Sequence, residues 1–281
     1  MSEADQPQPA KAARAEHQPP AGAEATATWN GGAGPIDYTA SAGWIVLRKK
    51  DKPAAEMFSV SYVADQADER RPVTFVFNGG PGASSAYLHV GAVGPRRVAF
   101  PPDGSLPAMP PRLVENESSW LAFSDLVFVD PVGTGFSRVI EQDDKPGEKG
   151  GGGKGNDDSA VDPKEYFGQK RDLESLCELM GRWLSSNGRW GSPVFIAGES
   201  YGGYRVGRLV RMLQETAGIG LNGAILISPA LEISTLNPSD YDVLGWIDTL
   251  PTMALAAAHH GRSRAFDRET PMADVLRDAE E

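Results

Sequence analysis

The residues Val194-Phe195-Ile196-Ala197-Gly198-Glu199-Ser200-Tyr201-Gly202-Gly203 set a serine between two glycines in the pattern G-x-S-x-G. An apolar run leads into the pattern. Tyr204, Val206, Leu209, Val210 and Leu213 follow it at helical spacing, with Arg205, Arg208 and Arg211 between them. A serine on such a strand-to-helix turn has its hydroxyl pushed clear of the backbone, and the flanking glycines make the turn sterically possible. The chemistry this permits is nucleophilic attack. A hydroxyl alone is a weak nucleophile. It needs a base to take its proton, a carboxylate to orient that base, and donors aimed at the oxyanion. One donor in this architecture is the amide after the nucleophile, here Tyr201. The other comes from the loop after an earlier strand. Asn78-Gly79-Gly80-Pro81-Gly82 is such a loop, and Gly80 is its best candidate.

The base is harder to find. In this architecture the order is serine, acid, histidine. The histidines are His17, His89, His259 and His260, and only the last two follow Ser200. Asp240, Asp242 and Asp248 precede those two, so the order can be met on paper. We reject that assignment. Only one buried strand, Ala224 to Ile227, is recognisable after the turn, whereas the acid and base belong on loops after later strands. The triad Asp and His are expected to lie outside this chain, and His89 is expected to be structural.

The elements that must position these groups alternate along the chain. Gly43–Arg48 and Met57–Val63 read as strands of an antiparallel hairpin joined by a polar link at 49–55. Val73–Phe77 and Leu126–Val129 are continuous apolar runs suited to buried parallel strands. Pro163–Ser186 reads as one helix with an apolar stripe, Cys177 packing within it. Then come the serine strand, its helix, and Ala224–Ile227. Past Leu236, Tyr241–Ile247 and Met253–His260 read as short helices separated by Pro251. Strand–helix alternation predicts an α/β fold with a parallel-rich sheet. The expected organisation is a disordered Ala/Pro/Glu/Gln-rich tail over 1–27, a core over 28–235, and a helical segment over 236–281.

Composition limits the function classes. Net charge is −11, which argues against a nucleic-acid partner. The single cysteine excludes an internal disulfide and a cysteine-rich zinc site, and no metal or cofactor is expected. No apolar run is long enough to span a membrane. The tail lacks an apolar signal-peptide core, so the chain as it stands reads as cytoplasmic. The glycine-rich stretch 141–158 lacks the Walker spacing around Gly153-Lys154 and reads as a flexible surface insertion.

Three motifs stand in order: N-G-G-P-G-A-S-S at 78–85, D-P-V-G-T-G-F-S at 130–137 and G-E-S-Y-G-G at 198–203. Together they resemble the serine carboxypeptidase family, the carboxypeptidase Y group, over roughly Trp44 to His260. The resemblance implies the first part of an α/β-hydrolase fold with the start of a helical insertion. It implies release of C-terminal residues from peptides through an acyl-enzyme on Ser200, with the Gly80 and Tyr201 amides as oxyanion hole. It implies that Asn78, the Gly79 amide and Glu199 bind the substrate's terminal carboxylate. A carboxylate can sit beside Glu199 only if that acid is protonated and donates a hydrogen bond. It would place the protein in an exported or vacuolar setting, against the reading of the tail.

The sequence departs from the family pattern at Ala92, which stands where a second glutamate would pair with Glu199, and at Ala83, where many members carry cysteine. The family's later Asp and Gly-His segments are missing. The expected chain is therefore truncated after its nucleophile half and inactive alone. An esterase or acyltransferase on the same fold, and a noncatalytic peptide-binding remnant, stand as alternatives.

Overall fold

A computed structural model describes residues 17–32, 34–65, 68, 70–140, 163–233, 236, 239, 241 and 243–281. The stretch 141–158, residues 1–16, Asp240 and Asp242 lie outside the described residues. The chain divides into two compact units, 1–229 and 230–281.

The first unit is built on an eight-stranded sheet and a separate two-stranded pair. Its strands are β1 (Ala23–Gly31), β2 (Gly34–Lys49), β3 (Lys52–Ala64), β4 (Val73–Phe77), β5 (Arg96–Val98), β6 (Leu113–Glu115), β7 (Asp125–Val129), β8 (Arg138–Val139), β9 (Val194–Glu199) and β10 (Gly223–Ile227). The sheet order is β1-β2-β3-β7-β4-β9-β10, with β8 on β3, while β5 and β6 form a separate pair. β1, β2 and β3 make an antiparallel meander, and β3 joins β7 antiparallel. The pairs β7–β4, β4–β9 and β9–β10 are parallel, as the unbroken apolar runs of these strands require. This is the α/β-hydrolase architecture expected.

Side chains of the central strands alternate between two cores. Phe75, Phe77, Val127 and Val129 pack on one face with α2 (Gln169–Ser186) and α3 (Tyr201–Met212), which follow the short helix α1 (Ala86–Leu88). Val76, Leu126, Phe128 and Ala197 face the other way, against Trp29, Tyr38, Leu88 and Leu121. α2 presents Leu173, Leu176, Leu179, Met180 and Trp183 to the first core, and Cys177 lies buried among them. Burial pushes the Cys177 thiol up to about 12, which leaves it an inert packing residue.

Several boundaries differ from those read in the sequence. Residues 23–27, expected in the tail, pair with 38–42 as the start of β1. Their side chains are exposed, and only Trp29 is buried, its indole donating to the Asn116 carbonyl at 2.8 Å. Backbone pairing along an outer strand, rather than apolar burial, orders them. The hairpin link is also shorter than expected: β2 and β3 are joined by Lys50 and Asp51 alone, both at positive φ (47° and 63°). That is the backbone of a two-residue turn matched to strand twist. The Pro163–Ser186 helix divides into a 3₁₀ turn over Pro163–Phe167 and α2, with Gly168 between them.

The second unit contains α4 (Val243–His259) and α5 (Met272–Glu280). Pro251 lies inside α4 rather than between two helices. It removes one helical donor, and the neighbouring Thr249 hydroxyl donates to the Gly245 carbonyl at 2.8 Å, one turn back. The unit begins at 230, a few residues before the 235/236 boundary read from composition. Among the described residues, no helix is long and apolar enough to cross a membrane.

Candidate active site

Ser200 stands between β9 and α3 with φ 56° and ψ −120°, a conformation that non-glycine residues rarely adopt. Its amide donates to the Ile227 carbonyl of β10 at 3.0 Å, and its carbonyl accepts from the Gly203 amide at 2.9 Å. The surrounding glycines are dictated by closeness. A Cβ on Gly198 would sit 2.1 Å from the Gly202 oxygen, and one on Gly202 would sit 2.5 Å from the Phe77 oxygen. Strand end, turn and helix start thus interlock with no room for side chains.

The parallel pairing of β4 with β9, with Phe77 opposite Gly198, carries the loop after β4 to the turn. Gly79 is packed so tightly there that a Cβ would meet Tyr201 N at 2.6 Å, Glu199 O at 2.7 Å and Ser200 Cβ at 2.9 Å. Gly80 is exposed, with φ +104°. The Tyr201 amide belongs to the first turn of α3, where amides have no intrahelical acceptor. Asn78 is buried. Its Oδ1 accepts from the Leu88 amide at 2.9 Å and its Nδ2 donates to Glu199 Oε2 at 3.2 Å. The structure therefore brings Asn78, Gly79, Glu199, Ser200 and Tyr201 together. Ala92 is exposed at the end of a π-turn over His89–Val93, its carbonyl accepting from Asn116 Nδ2 at 2.7 Å.

The second motif braces this loop. Asp130 Oδ1 accepts from the Ser85 amide at 2.8 Å, and its Oδ2 accepts from the Phe136 amide at 3.2 Å. Burial raises the Asp130 pKa, and these two donors offset part of that. The Ser85 hydroxyl bridges the ends of β4 and β7, donating to the Val129 carbonyl. Ser137 repeats the device: its hydroxyl donates to the Asp130 carbonyl at 2.6 Å and accepts from the Phe58 amide at 2.7 Å.

Two charged residues of the site escape the sequence reading. Arg205 on α3 and Asp172 on α2 are both buried, with Arg205 Nε donating to Asp172 Oδ2 at 2.8 Å. Arg205 Nη1 donates to the Asn78 carbonyl at 3.1 Å, and its guanidinium lies 4.9 Å from the centre of the Tyr201 ring. One side chain thus holds α2, the residue before Gly79, and the residue after Ser200. The signal is present in the spacing: Gly202, Arg205 and Leu209 share the buried stripe of α3, as Asp172 shares that of α2 with Leu176.

The histidines of the first unit are engaged elsewhere. His17 Nε2 lies 2.7 Å from Glu56. His89 Nε2 lies 2.6 Å from the Tyr62 hydroxyl, and the ring stacks on Phe128 at 4.5 Å. Burial brings the His89 pKa down to about 4, so the imidazole is neutral at ordinary pH.

Comparison with known proteins identifies the family. A family model described as serine carboxypeptidase matches residues 31–248. The chain is 27% identical over 183 residues to serine carboxypeptidase-like 35 of Arabidopsis thaliana, an alignment covering 64% of this chain and 32% of that protein. It is 28% identical over 152 residues to the pheromone-processing carboxypeptidase kex1 of Sclerotinia sclerotiorum, covering 53% of this chain and 19% of that protein. Among solved structures, a prohormone-processing carboxypeptidase from Saccharomyces cerevisiae superposes with a TM-score of 0.52 at 22% identity. That match covers 87% of this chain and 46% of that one, and bears on the fold alone. The chain therefore spans less than half the length of each of these proteins.

Proposed function

Because the chain belongs to the serine carboxypeptidase family, we propose that it carries the nucleophile half of a hydrolase that releases C-terminal residues from peptides. The observation that carries this reading is the strained turn at Ser200 with the Asn78–Gly80 loop packed against it. In the proposed reaction the Ser200 hydroxyl attacks the scissile carbonyl. The Gly80 and Tyr201 amides receive the oxyanion, and the leaving residue's carboxylate is held by Asn78, the Gly79 amide and Glu199. Asn78 suits this role because Leu88 fixes its Oδ1, which leaves Nδ2 aimed at Glu199.

A base is the part this reading does not find in the first unit. His17 and His89 have other partners, so we propose that the 281-residue chain alone binds peptides without turning them over. The test has two parts. N-acetylated dipeptides with a free carboxyl terminus should bind more tightly than their amides, and Asn78→Ala should erase that difference. Equal affinity for acid and amide would sink the carboxylate assignment. A serine-directed fluorophosphonate should leave the chain unlabelled at neutral pH. Prompt stoichiometric labelling, absent in Ser200→Ala, would show that a base is present, and His259 and His260 would be the first residues to replace.

A further inference from the structure

β1 forms one outer margin of the eight-stranded sheet, at the opposite end from β10. It pairs with β2 in an unbroken register, from Ala23 opposite Ala42 to Gly31 opposite Gly34. In an antiparallel strand the N–H and C=O of one residue point to the same side, and successive residues alternate. The Asn30 amide points away from β2, because it donates to Glu115 Oε1. Glu24, Thr26 and Thr28 therefore turn their backbone groups outward as well. Among the described residues no strand pairs with them. The Asn30–Glu115 bond closes one end of this open edge. Pro19 and Pro20, which have no amide hydrogen to offer a ladder, precede the other.

Open edges are commonly blunted by lysine, proline or a bulge. β1 has none of these. It reads Ala-Glu-Ala-Thr-Ala-Thr-Trp-Asn-Gly, with Glu24 its single charge, and every side chain from Ala23 to Thr28 is exposed. A strand that fits this edge must match its outward groups and set no acid opposite Glu24. A second copy of β1 does both. Antiparallel pairing about a two-fold axis at Thr26 sets Thr26 opposite Thr26 and Glu24 opposite Thr28. These are the outward residues, so each pair exchanges two backbone hydrogen bonds. Cross-strand threonine pairs are favourable, and small alanines at 25 and 27 face each other between them. Moving the axis to Ala27 would set Glu24 opposite Asn30, whose amide is already taken.

We propose that the protein forms a two-fold dimer by antiparallel pairing of β1 with β1 of a second copy, in the register that sets Thr26 opposite Thr26. The interface is the same patch on both copies, so it closes at two. The Ser200 turn follows β9, five strands along the sheet order, and stays outside the joint.

The test is sedimentation equilibrium of the Leu226→Lys chain, whose opposite margin carries a charge. A monomer–dimer equilibrium with no larger species is expected. The Thr26 amide makes no bond to β2, so Thr26→Pro leaves the β1–β2 ladder whole and should weaken dimerisation at least about tenfold. Cysteine variants read the register. Thr26→Cys brings two thiols within disulfide reach across the axis and should give a covalent dimer under diamide. Glu24→Cys and Thr28→Cys each hold their own copies roughly 14 Å apart and should not, whereas an equal mixture of the two should. Cys177 is buried, so the chain without a new cysteine is the blank. A monomer at every concentration overturns the proposal, as do open-ended oligomers. So does a Thr26→Pro chain that dimerises as well as its parent. Cross-linking of Glu24→Cys or Thr28→Cys alone, with none in Thr26→Cys, overturns the register and the proposal with it.

Discussion

At the scale of the residue, Ser200 holds a backbone conformation that costs on the order of 1–3 kcal/mol for a residue with a Cβ. Glycine escapes that cost; alanine does not. Ser200→Gly should therefore unfold at higher denaturant than Ser200→Ala, by about 1 kcal/mol or more, in chemical denaturation monitored by tryptophan fluorescence. Equal stabilities would mean the turn relaxes when the hydroxyl is removed. Gly79 makes the converse case. Its missing Cβ leaves room only for the backbone of Glu199 and Tyr201, which cannot rotate away. Gly79→Ala should destabilise by roughly 1–3 kcal/mol, the cost of overpacking. It should also abolish dipeptide binding, because the amide proposed to hold the carboxylate moves with it.

At the scale of the element, α2, α3 and the loop after β4 meet at one buried ion pair. Removing one member leaves the other charged and unpaired. Arg205→Met should cost about 3–5 kcal/mol, and Asp172→Leu combined with it should recover most of that. A double mutant no more stable than Arg205→Met would show that the two side chains act separately. The π-turn at His89 makes a pH-dependent join between β3 and β7. Its folded pKa, about 4, lies below the ordinary value of 6.5, so the unfolded chain binds the extra proton first. Stability should be full above pH 6.5, fall as pH drops from 6.5 towards 4, and level off below that. The loss attributable to this group is about 3 kcal/mol. His89→Phe should flatten that part of the urea-midpoint profile; an unchanged slope would assign it to other groups.

Elements also show what the sequence makes legible. β4, β7 and β9 are readable because strands buried on both faces are apolar at nearly every position. β1 is not, because an outer strand ordered by its backbone leaves little trace in side-chain hydropathy. Pro251 reads as a break, though the helix tolerates the missing bond. The Ser200 turn and its glycines follow from local sterics and are legible. The Asp172–Arg205 pair joins residues 33 positions apart, and only the buried stripes of their helices hint at it.

At the scale of the whole molecule, β10 closes one end of the sheet order and pairs with β9 alone among the described strands. Leu226 on it is 44% exposed, and Ile225 and Ile227 are partly exposed. A short apolar strand with unpaired backbone groups is a template for association. The isolated chain should self-associate as concentration rises and bind a hydrophobic dye. Leu226→Lys should reduce both in sedimentation and dye-fluorescence measurements. A chain that stays monomeric at high concentration would show that this edge is protected.

The hydrogen bond from the Ser200 amide to Ile227 ties that edge to the serine turn. Deuterium can replace the Ser200 amide proton only when β10 lets go. The rate of that replacement is therefore a clock for how often the sheet margin frays, kept by Ser200 itself. A binding partner that caps β10 would slow the clock without ever touching the serine side chain.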